Sequence, residues 1–573
     1  MKSETMTTEQ LSRSAQEAAQ NSASDAAARQ ERVTAAEAIV RVLEAYGVDA
    51  VHGVISIHNL PVADAIGRRG QIRFVAARGE AGAAAMADGH GRHSGLGVVL
   101  TSTGAGAGNA AGALMEALNA GTPVLHITGQ VERDYLDRDA SFIHETRDQV
   151  SLLRGCSKAV FRILHPQQAV AVTQRAIQEA IRLPAGPVSI EIPIDVQAAM
   201  VDLPCAIQRL PLPAPARDDR AVAALAARLL AAQRPMLWVG GGAIAAAAAV
   251  LRLAELGVPV VSSTHGRGIL PDGHPRSLRA FHNATGVARL LAESDLVIVA
   301  GSRLRSNETA TYSLPLGSCR VQIDIDPAAC NRNYPMDAFV LGDCADVLDK
   351  LAEALQAAPK HDPLRDRDIC SATIAAEYAL REQLGAYAVL SDALRSALPD
   401  DGIFVRDITM SGSTWGSRLL NFQQPRQNIH SLAGAIGLAL PTAIGCAIAN
   451  PGRKVMALIG DGGLMLNIGE LATAVQEQLD MVLLVMNDGG YGVMRGIQQK
   501  YFGDRQYYNQ LHAPDFHALA GAMGMRAWKL DDCSNFDAVL RAAVAHPGPA
   551  LVEVNMAAIG PLHFSGPPQK RLY

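Results

Sequence analysis

The stretch Val455–Tyr491 constrains the fold more than any other part of this 573-residue chain. It contains two short apolar runs, Val455–Ile459 and Met481–Met486, separated by apolar residues at helical spacing. Short apolar runs without polar alternation are typical of parallel strands that are buried on both faces, and a helix between them completes a βαβ unit. The stretch therefore predicts an α/β fold built on parallel sheets.

Glycines and acidic residues follow both of these predicted strands. Gly460-Asp461-Gly462-Gly463 follows the first, and Asn487-Asp488-Gly489-Gly490-Tyr491 follows the second. Because ligands of parallel sheets lie at the carboxyl ends of the strands, we expect Asp461 and Asp488 on adjacent loops. Two carboxylates suit Mg²⁺, which also keeps phosphate oxygens as ligands, and glycines let backbone N–H groups approach an anion. The alternative is an ordinary strand-to-helix turn that carries surface acids.

The order and spacing of these motifs resemble the diphosphate motif of thiamine-diphosphate enzymes. The Asn-Asp pair lies 26 and 27 residues after the aspartate of Gly-Asp-Gly, and Gly-Tyr-Gly follows it. The chain resembles the group of pyruvate decarboxylase, benzoylformate decarboxylase and acetolactate synthase, with acetolactate synthase closest. The resemblance implies three doubly wound parallel-sheet domains of the α/β class, namely pyrimidine-binding, central and diphosphate-binding domains. It also implies thiamine diphosphate and Mg²⁺ as cofactors.

The resemblance assigns cofactor contacts to several positions of the chain. The Gly434 carbonyl would accept a hydrogen bond from the 4′-amino group, and Ile436 would wedge between the two rings, although a glycine-rich helix start predicts similar residues. The cofactor-binding residues are Gly434, Ile436, Gly460, Asp461, Gly462, Gly463, Asp488, Gly490 and Tyr491, and the predicted metal ligands are Asp461, Asp488 and the Gly490 carbonyl. Many relatives have a second asparagine at position 488, so Asp488 adds negative charge against the diphosphate.

Glu80 is the predicted residue that starts the proton transfers. It follows a strand-like segment and precedes small residues and Met-Ala-Asp-Gly, as in the glutamate-bearing segment of the family. In relatives this carboxyl group shares a proton with N1′, which favours the imino tautomer that deprotonates C2. The alternative is a glutamate that stabilises a helix N-terminus.

The predicted substrate pocket departs from acetolactate synthase. Thr128–Val131 resembles the Thr-Gly-Gln-Val of that family, and Phe142 with His144-Glu145 resembles its Phe-Gln-Glu segment. Where acetolactate synthases show Gly-Met-Val-x-Gln-Trp, this chain has smaller or different residues, so its pocket should be roomier. The predicted pocket residues are Ile57, Ser102, Val493, Met494 and Ile497.

Two further residues near this pocket are candidates for catalysis. His58 is a candidate acid/base, with a structural histidine as the alternative. Gln130 is a candidate for holding an oxygen of the substrate. Ile57 stands where benzoylformate decarboxylases carry a catalytic serine, and Ser102 where they carry a histidine. The paired histidines of pyruvate decarboxylases have no counterpart in the sequence.

Composition limits the classes of partner. The net charge of −5 gives no basic surface for nucleic acid, and no apolar run reaches the ~18–20 residues of a membrane span. The eight cysteines are scattered without CxxC pairs, which is typical of a reducing cytoplasm and argues against a zinc site. The first residues lack an apolar segment, so they do not resemble a secretory signal.

Composition also predicts where the domains divide. The predicted ranges are a disordered or loosely helical tail over 1–33, a pyrimidine-binding domain over 34–200, a Pro-rich linker over 201–217, a central domain over 218–360 and a diphosphate-binding domain over 361–573. Gly240-Gly241-Gly242 follows the first central strand and is explained by a tight turn. Residues 362–368 are predicted to be a charged connector. The resemblance leaves FAD in the central domain open, and no motif requires it.

These features predict an enzyme that decarboxylates a 2-oxo acid, or cleaves an equivalent donor, and passes the acyl carbanion to an acceptor. One alternative is a simple decarboxylase that releases an aldehyde, and a more distant one is a non-catalytic cofactor-binding relative. A nicotinamide dehydrogenase lacks support because no GxGxxG with a following acid is present. In the family the glutamate and the diphosphate site come from neighbouring subunits, which implies a homodimer at minimum, with a homotetramer as the alternative.

Overall fold

A computed structural model describes residues 31–204 and 206–562. Three all-parallel sheets dominate these ranges, each covered by helices on both faces, which confirms the predicted fold class. The predicted tail lies outside the described residues except at its end. Within the described ranges, no helix is long and apolar enough to cross a membrane.

The first sheet has the strand order β3-β2-β4-β5-β7-β6. A short antiparallel pair, β1 with β8, lies beside it. The strands are β1 Arg32–Thr34, β2 Ala50–Gly53, β3 Arg73–Ala76, β4 Gly97–Thr101, β5 Val124–Gln130, β6 Ala159–Arg162, β7 Val188–Pro193 and β8 Met200–Asp202. The helices are Ala35–Ala45, Leu60–Arg69, Glu80–Ser94, Ala105–Ala120, Gln149–Arg154, Ala169–Ile181 and Ile194–Ala198.

The central sheet has the strand order β10-β9-β11-β12-β13. Its strands are β9 Pro235–Val239, β10 Val260–Ser262, β11 Leu296–Ala300, β12 Arg320–Asp324 and β13 Ala338–Leu341. Its helices are Asp219–Ala231, Ala247–Glu255, Thr285–Ala292 and Cys344–Leu355.

The third sheet has the strand order β15-β14-β16-β17-β19-β18. Its strands are β14 Ile403–Arg406, β15 Asn428–His430, β16 Val455–Gly460, β17 Met481–Asn487, β18 Arg526–Leu530 and β19 Ala550–Asn555. Its longer helices are Pro363–Leu384, Ala386–Ala397, Ala439–Ala449, Glu470–Gln476, Gly492–Tyr501, Phe516–Ala522 and Phe536–Ala545. Four single-turn helices are Met410–Ser413, Trp415–Arg418, Asp461–Leu464 and Met556–Ile559. The two apolar runs of the sequence are β16 and β17, paired side by side as predicted.

Two segments differ from the sequence-based expectation. Residues 32 and 33 of the predicted tail, and 201 and 202 of the predicted linker, form ladder pairs in β1 and β8. The charged segment 362–368 is not a connector but the start of the helix Pro363–Leu384. The Asp362 carboxylate caps this helix by accepting hydrogen bonds from the backbone N–H groups of Leu364 and Arg365, and Pro363 occupies the favoured first position. Residues 206–218 contain no helix or strand, as the Pro-rich composition predicts.

The first and third sheets are held together by the helices Glu80–Ser94 and Ala439–Ala449. Both helices are buried along almost their whole length, and their apolar residues belong to one core that spans the two sheets. Their backbones approach closely because glycines face backbone on the other helix. A Cβ atom on Gly89 would collide with the Thr442 carbonyl oxygen, and one on Gly445 with the Met86 carbonyl oxygen. This contact fixes the position of Glu80 relative to the third sheet.

Gly445→Ala tests this contact. The added methyl group meets backbone that has no room to move, so we expect a loss of about 1–3 kcal/mol of stability and a lower midpoint of thermal unfolding. Gly67→Ala is the matched control, because Gly67 lies on an exposed helix position where an added methyl group would have no atom within 4 Å. The control should unfold at the same or a higher temperature. Equal midpoints for the two variants would contradict the close packing.

Candidate active site

Asp461 lies at the carboxyl end of β16, at the first position of a short helical turn. Its side chain is 2% exposed, and neither carboxylate oxygen has a hydrogen-bond partner among the described residues. Burial raises the pKa of Asp461. A buried carboxylate without a partner costs free energy, and a bound cation would offset that cost, so this group is suited to metal ligation.

Asp488 follows β17, the neighbouring strand, and faces Asp461. Burial and the negative charge of Asp461 raise the pKa of Asp488 to about 6. The Arg495 guanidinium lies 3.9 Å from the Asp488 carboxylate and also donates to its backbone carbonyl over 3.2 Å. Two adjacent carboxylates are suited to a hard divalent cation, and the metal site stays a prediction.

The loop after β17 is held by the segment 509–511. The Tyr491 N–H donates to the Asn509 carbonyl over 2.8 Å, and the Leu511 N–H donates to the Gly489 carbonyl over 3.1 Å. Gly490 has a φ of 150° and packs so closely on Asn509 that a side chain would collide with its carbonyl. The Tyr491 ring packs on Gly462, where a Cβ atom would lie 2.8 Å from it. The two predicted diphosphate loops are thus in contact.

The turn before the helix Ala439–Ala449 lies against the same loops. Gly434 and Gly437 have φ of 88° and 83°, in the left-handed region, and the helix begins at Ala439. The Gly437 N–H donates to the Asp407 carboxylate over 2.6 Å, and a Cβ atom on Gly463 would lie 2.7 Å from that carboxylate. Asp407 is buried, which raises its pKa to about 6. The structure thus brings the segment that contains Gly434 and Ile436 beside the Gly460–Gly463 loop.

Glu116, from the first sheet's layer, fixes the chain just before Gly434. Its carboxylate accepts hydrogen bonds from the Ser431 hydroxyl over 2.7 Å and the Ala433 N–H over 2.8 Å, and also from the Leu432 N–H. Arg305 of the central layer donates to the Leu432 carbonyl. The segment that carries the Gly434 carbonyl is therefore positioned by all three layers of the chain.

Glu80 begins the helix Glu80–Ser94 at the carboxyl end of β3. Its carboxylate accepts a hydrogen bond from the Asn109 side chain over 3.1 Å. A Cβ atom on Gly106 would lie 2.8 Å from the Glu80 carboxylate and 2.7 Å from Ser102 Cβ. Glu80 and Ser102 therefore lie close together, beside Gly106, at the carboxyl-end edge of the first sheet.

Gln130 ends β5, and its side chain points into an internal network. Its Oε1 accepts from the Val131 N–H over 2.8 Å and lies 3.0 Å from the Thr103 hydroxyl, and its amide donates to Glu191 over 3.2 Å. Gln149 binds the same Glu191 and also accepts from the Gly104 N–H over 2.7 Å. Gln130 is thus tied to the Thr103–Gly104 turn, and its predicted role of holding a substrate oxygen stays a prediction.

The remaining predicted pocket residues follow β2 of the first sheet and β17 of the third sheet. Ile57 is 61% exposed in a short 3₁₀ turn after β2, and Met494 is 46% exposed on the helix Gly492–Tyr501. Val493 and Ile497 are one turn apart on that helix and half-buried. No hydrogen bond, ion pair or ring contact in the described ranges joins the predicted site residues of the first sheet to those of the third. The predicted site residues thus form two groups, one on the first sheet and one on the third.

A separate cavity of about 430 Å³ lies at the carboxyl ends of the central strands. Gly240–Gly242, His265, Arg305 and Glu308 are among its lining residues. A Cβ atom on Gly242 would lie 2.9 Å from Gly301 Cα, which agrees with the tight turn predicted for this glycine run.

Comparison with known proteins assigns all three layers to one family. Residues 33–152 match the family model described as thiamine pyrophosphate enzyme, N-terminal TPP binding domain. Residues 222–351 match the central domain of the same enzymes, and residues 407–554 match their C-terminal TPP binding domain. The chain belongs to the thiamine pyrophosphate enzymes.

Three relatives carry two kinds of name, decarboxylase and acetolactate synthase. The chain is 33% identical to the probable 2-ketoarginine decarboxylase AruI of Pseudomonas aeruginosa, over 92% of this chain and 95% of the relative. It is 31% identical to the acetolactate synthase isozyme 1 large subunit of Escherichia coli, over 94% of this chain and 96% of the relative. It is 29% identical to an acetolactate synthase of Arthrospira platensis, over 92% and 94%. The predicted resemblance is confirmed at the level of the family.

Sequence reasoning missed Asp407, Glu116 and the packing of His144 on His58, whose ring centroids are 5.2 Å apart. Asp407 follows the strand Ile403–Arg406, so the rule that ligands and their supports follow strand ends would have indicated it. Glu116 gives no such signal, because it lies on a helix 316 residues before the backbone group it binds.

Asp488→Ala tests metal binding at the third sheet. Removing one of two carboxylates should raise the Mg²⁺ concentration for half-saturation about tenfold or more, because an oxygen ligand and its charge are lost. Asp488→Asn keeps an oxygen ligand, so its requirement should lie nearer to the wild type. Asp368→Ala, which removes an exposed carboxylate in the helix Pro363–Leu384, is the control. An unchanged Mg²⁺ titration for Asp488→Ala would count against ligation there.

Proposed function

We propose that the protein binds thiamine diphosphate with Mg²⁺ and decarboxylates a 2-oxo acid, or cleaves an equivalent donor, and passes the acyl unit to an acceptor. Release of the acyl unit as an aldehyde is the second candidate. The observation that carries the proposal is the pair of adjacent acids, Asp461 and Asp488. The loop that begins at Asp461 contacts, through Gly463, a turn that contains two left-handed glycines.

The third sheet would hold the cofactor. Asp461, Asp488 and the Gly490 carbonyl would bind Mg²⁺, and backbone N–H groups of the loop that contains Gly460, Gly462 and Gly463 would bind the diphosphate. The Gly434 carbonyl would orient the aminopyrimidine, with Ile436 beneath the rings. When bound, thiamine diphosphate supplies a carbon that adds to the 2-oxo group and takes up the electron pair left by CO₂.

The first sheet would supply the proton chemistry. The Glu80 carboxyl would hold a proton at N1′, and Asn109 orients that carboxyl by its hydrogen bond. Because the two groups of site residues are not joined within one chain, the proposal includes a homodimer in which each group faces the other subunit's complement, with a homotetramer as the alternative. Large apolar side chains that one chain leaves exposed beside both groups support this, since water must be excluded from the site. They are Ile55, Ile57, Leu466 and Met494.

The fate of the acyl unit depends on the pocket. Ile497 stands where acetolactate synthases have tryptophan, so the pocket suits a donor or acceptor larger than pyruvate. A relative at 33% identity is named a 2-ketoarginine decarboxylase, which supports aldehyde release as the second candidate. The relatives named acetolactate synthase support transfer to an acceptor.

The cavity of the central sheet keeps FAD as a proposed second cofactor, which visible absorbance of the purified protein would test. The location proposed for the protein is the cytoplasm. The seven cysteines within the described ranges are free, which supports such a reducing compartment.

Glu80→Gln tests the proposed function. The variant keeps the shape of the side chain but cannot exchange a proton, so CO₂ release should fall by about 10²–10⁴-fold while calorimetric binding of thiamine diphosphate persists. The assay is CO₂ release from a panel of 2-oxo acids, with and without aldehyde acceptors. Glu382→Gln, at an exposed position of the helix Pro363–Leu384, is the control. Near-normal turnover of Glu80→Gln would refute the assigned role.

A further inference from the structure

Glu470 is a buried acid of the third sheet's layer that binds the chain just before Glu80. It begins the helix Glu470–Gln476, and the residue is 2% exposed. Its Oε1 accepts a hydrogen bond from the Arg78 N–H over 3.0 Å, and its Oε2 lies 3.3 Å from the same nitrogen. Its Oε2 also accepts from the Thr473 hydroxyl over 2.6 Å. Both oxygens of this carboxyl group are therefore engaged beside the predicted proton-transfer residue.

The helix that begins at Glu80 packs directly on this carboxyl group. A Cβ atom on Gly82 would lie 2.2 Å from Glu470 Oε1. On the other side, a Cβ atom on Gly469 would lie 3.2 Å from Arg78 Cβ. The chain thus makes a hydrogen bond to Glu470 before Glu80 and a packing contact with it after Glu80. The backbone on both sides of Glu80 is held by one side chain of another layer.

The segment that leads to Glu470 belongs to the proposed diphosphate site. Asp461 lies nine residues before Glu470. Between them, the Asn467 side chain donates to the Gly437 carbonyl over 2.9 Å. One short segment therefore contacts the turn that precedes the helix Ala439–Ala449 and also the backbone before Glu80.

Glu116 makes the converse contact. It lies on a helix of the first sheet's layer and binds the backbone just before Gly434, whereas Glu470 lies in the third sheet's layer and binds the backbone just before Glu80. In both cases a buried carboxyl group reaches across layers to a backbone N–H group directly ahead of a residue with a predicted cofactor contact. This shared pattern indicates positioning of specific residues and not only general packing between layers.

We propose that Glu470 is the positioning residue of Glu80, because it holds the turn before Glu80 and so fixes the direction of the carboxyl group that would exchange a proton with N1′. The inference rests on the proposed function, since Glu80 serves a cofactor. Glu470 touches neither substrate nor cofactor and acts through the backbone. A misplacement of about 1 Å can cost about 10²-fold in rate, so a single hydrogen bond of this kind is enough to matter.

The role assigned to Glu470 is that of a hydrogen-bond acceptor of fixed length and not that of a charge. Burial raises the pKa of Glu470, and the hydrogen bonds from Thr473 and the Arg78 N–H oppose that shift. The Arg78 N–H needs an oxygen acceptor at this place, which a glutamine side chain also provides. An aspartate side chain is one methylene shorter and would not reach.

The test measures hydrogen exchange at C2 of bound thiamine diphosphate in D₂O, because this step depends on Glu80 and needs no donor substrate. The protein is loaded with thiamine diphosphate and Mg²⁺, the exchange is stopped with acid, and the remaining C2 proton is measured by NMR. In Glu470→Ala the exchange rate should fall about 10- to 100-fold, while calorimetric binding of the cofactor persists. Glu470→Gln should restore exchange to within about threefold of the wild type, since it keeps the acceptor.

Glu477→Ala is the matched control. Glu477 lies seven residues further along the chain and pairs with Arg73, at the start of β3, so it joins the same two layers at a distance from Glu80. Its exchange rate should equal that of the wild type. If Glu470 served only general packing, both alanine variants would lose thermal stability without a selective loss of exchange in Glu470→Ala.

Two results would overturn the positioning role. One is an exchange rate in Glu470→Ala equal to that in Glu477→Ala, and the other is a loss in Glu470→Gln as large as that in Glu470→Ala. If Glu470→Ala does not fold, Glu470→Asp decides by the same comparison. The proposed function fails separately: in that case the wild type does not bind thiamine diphosphate, or binds it without accelerating exchange over the free cofactor, and the positioning role falls with it.

Discussion

The close contact between the helices Glu80–Ser94 and Ala439–Ala449 is the interaction on which the rest of the structure depends. Both helices are buried around most of their circumference, and glycines at their crossing let backbone meet backbone. The first residue of one helix is Glu80, and the turn that precedes the other carries Gly434. A single packing contact therefore sets the orientation of Glu80 relative to the turn that contains Gly434. The glycines at this crossing let the two helix backbones approach each other, and this close approach, not flexibility, is what they provide.

Positioning of the proposed cofactor site is shared among the three layers. Glu116 from the first layer and Arg305 from the central layer bind the backbone just before Gly434, and Asp407 binds the turn just after it. These groups are buried or half-buried, so their hydrogen bonds act in a medium of low dielectric constant and fix the turn strongly. The central layer, which contributes no residue to the predicted catalytic set, therefore still has a role in the shape of the site.

Much of the fold and part of the site could be predicted from sequence for one physical reason. Strands buried on both faces appear as short apolar runs, and their ligands follow directly, so β16, β17, Asp461 and Asp488 are visible in one stretch of sequence. Contacts between distant segments leave no such trace. The ring pair of His58 and His144 depends on how an irregular segment returns to the sheet, and the binding of Ser431–Ala433 by Glu116 depends on helix packing. The prediction for the charged segment 362–368 is wrong because a capping aspartate and proline also suit a loop.

The two departures from the acetolactate synthase pattern concern different parts of the proposed site. Asp488 adds a negative charge where relatives have a neutral asparagine, and Arg495, 3.9 Å away, offsets part of it, so the metal site can stay competent. Residues 492–497 differ from the Gly-Met-Val-x-Gln-Trp of acetolactate synthases, and the proposed effect of this second departure is a roomier pocket. The proposal is therefore that the chain keeps the cofactor chemistry of its family and takes a different donor or acceptor.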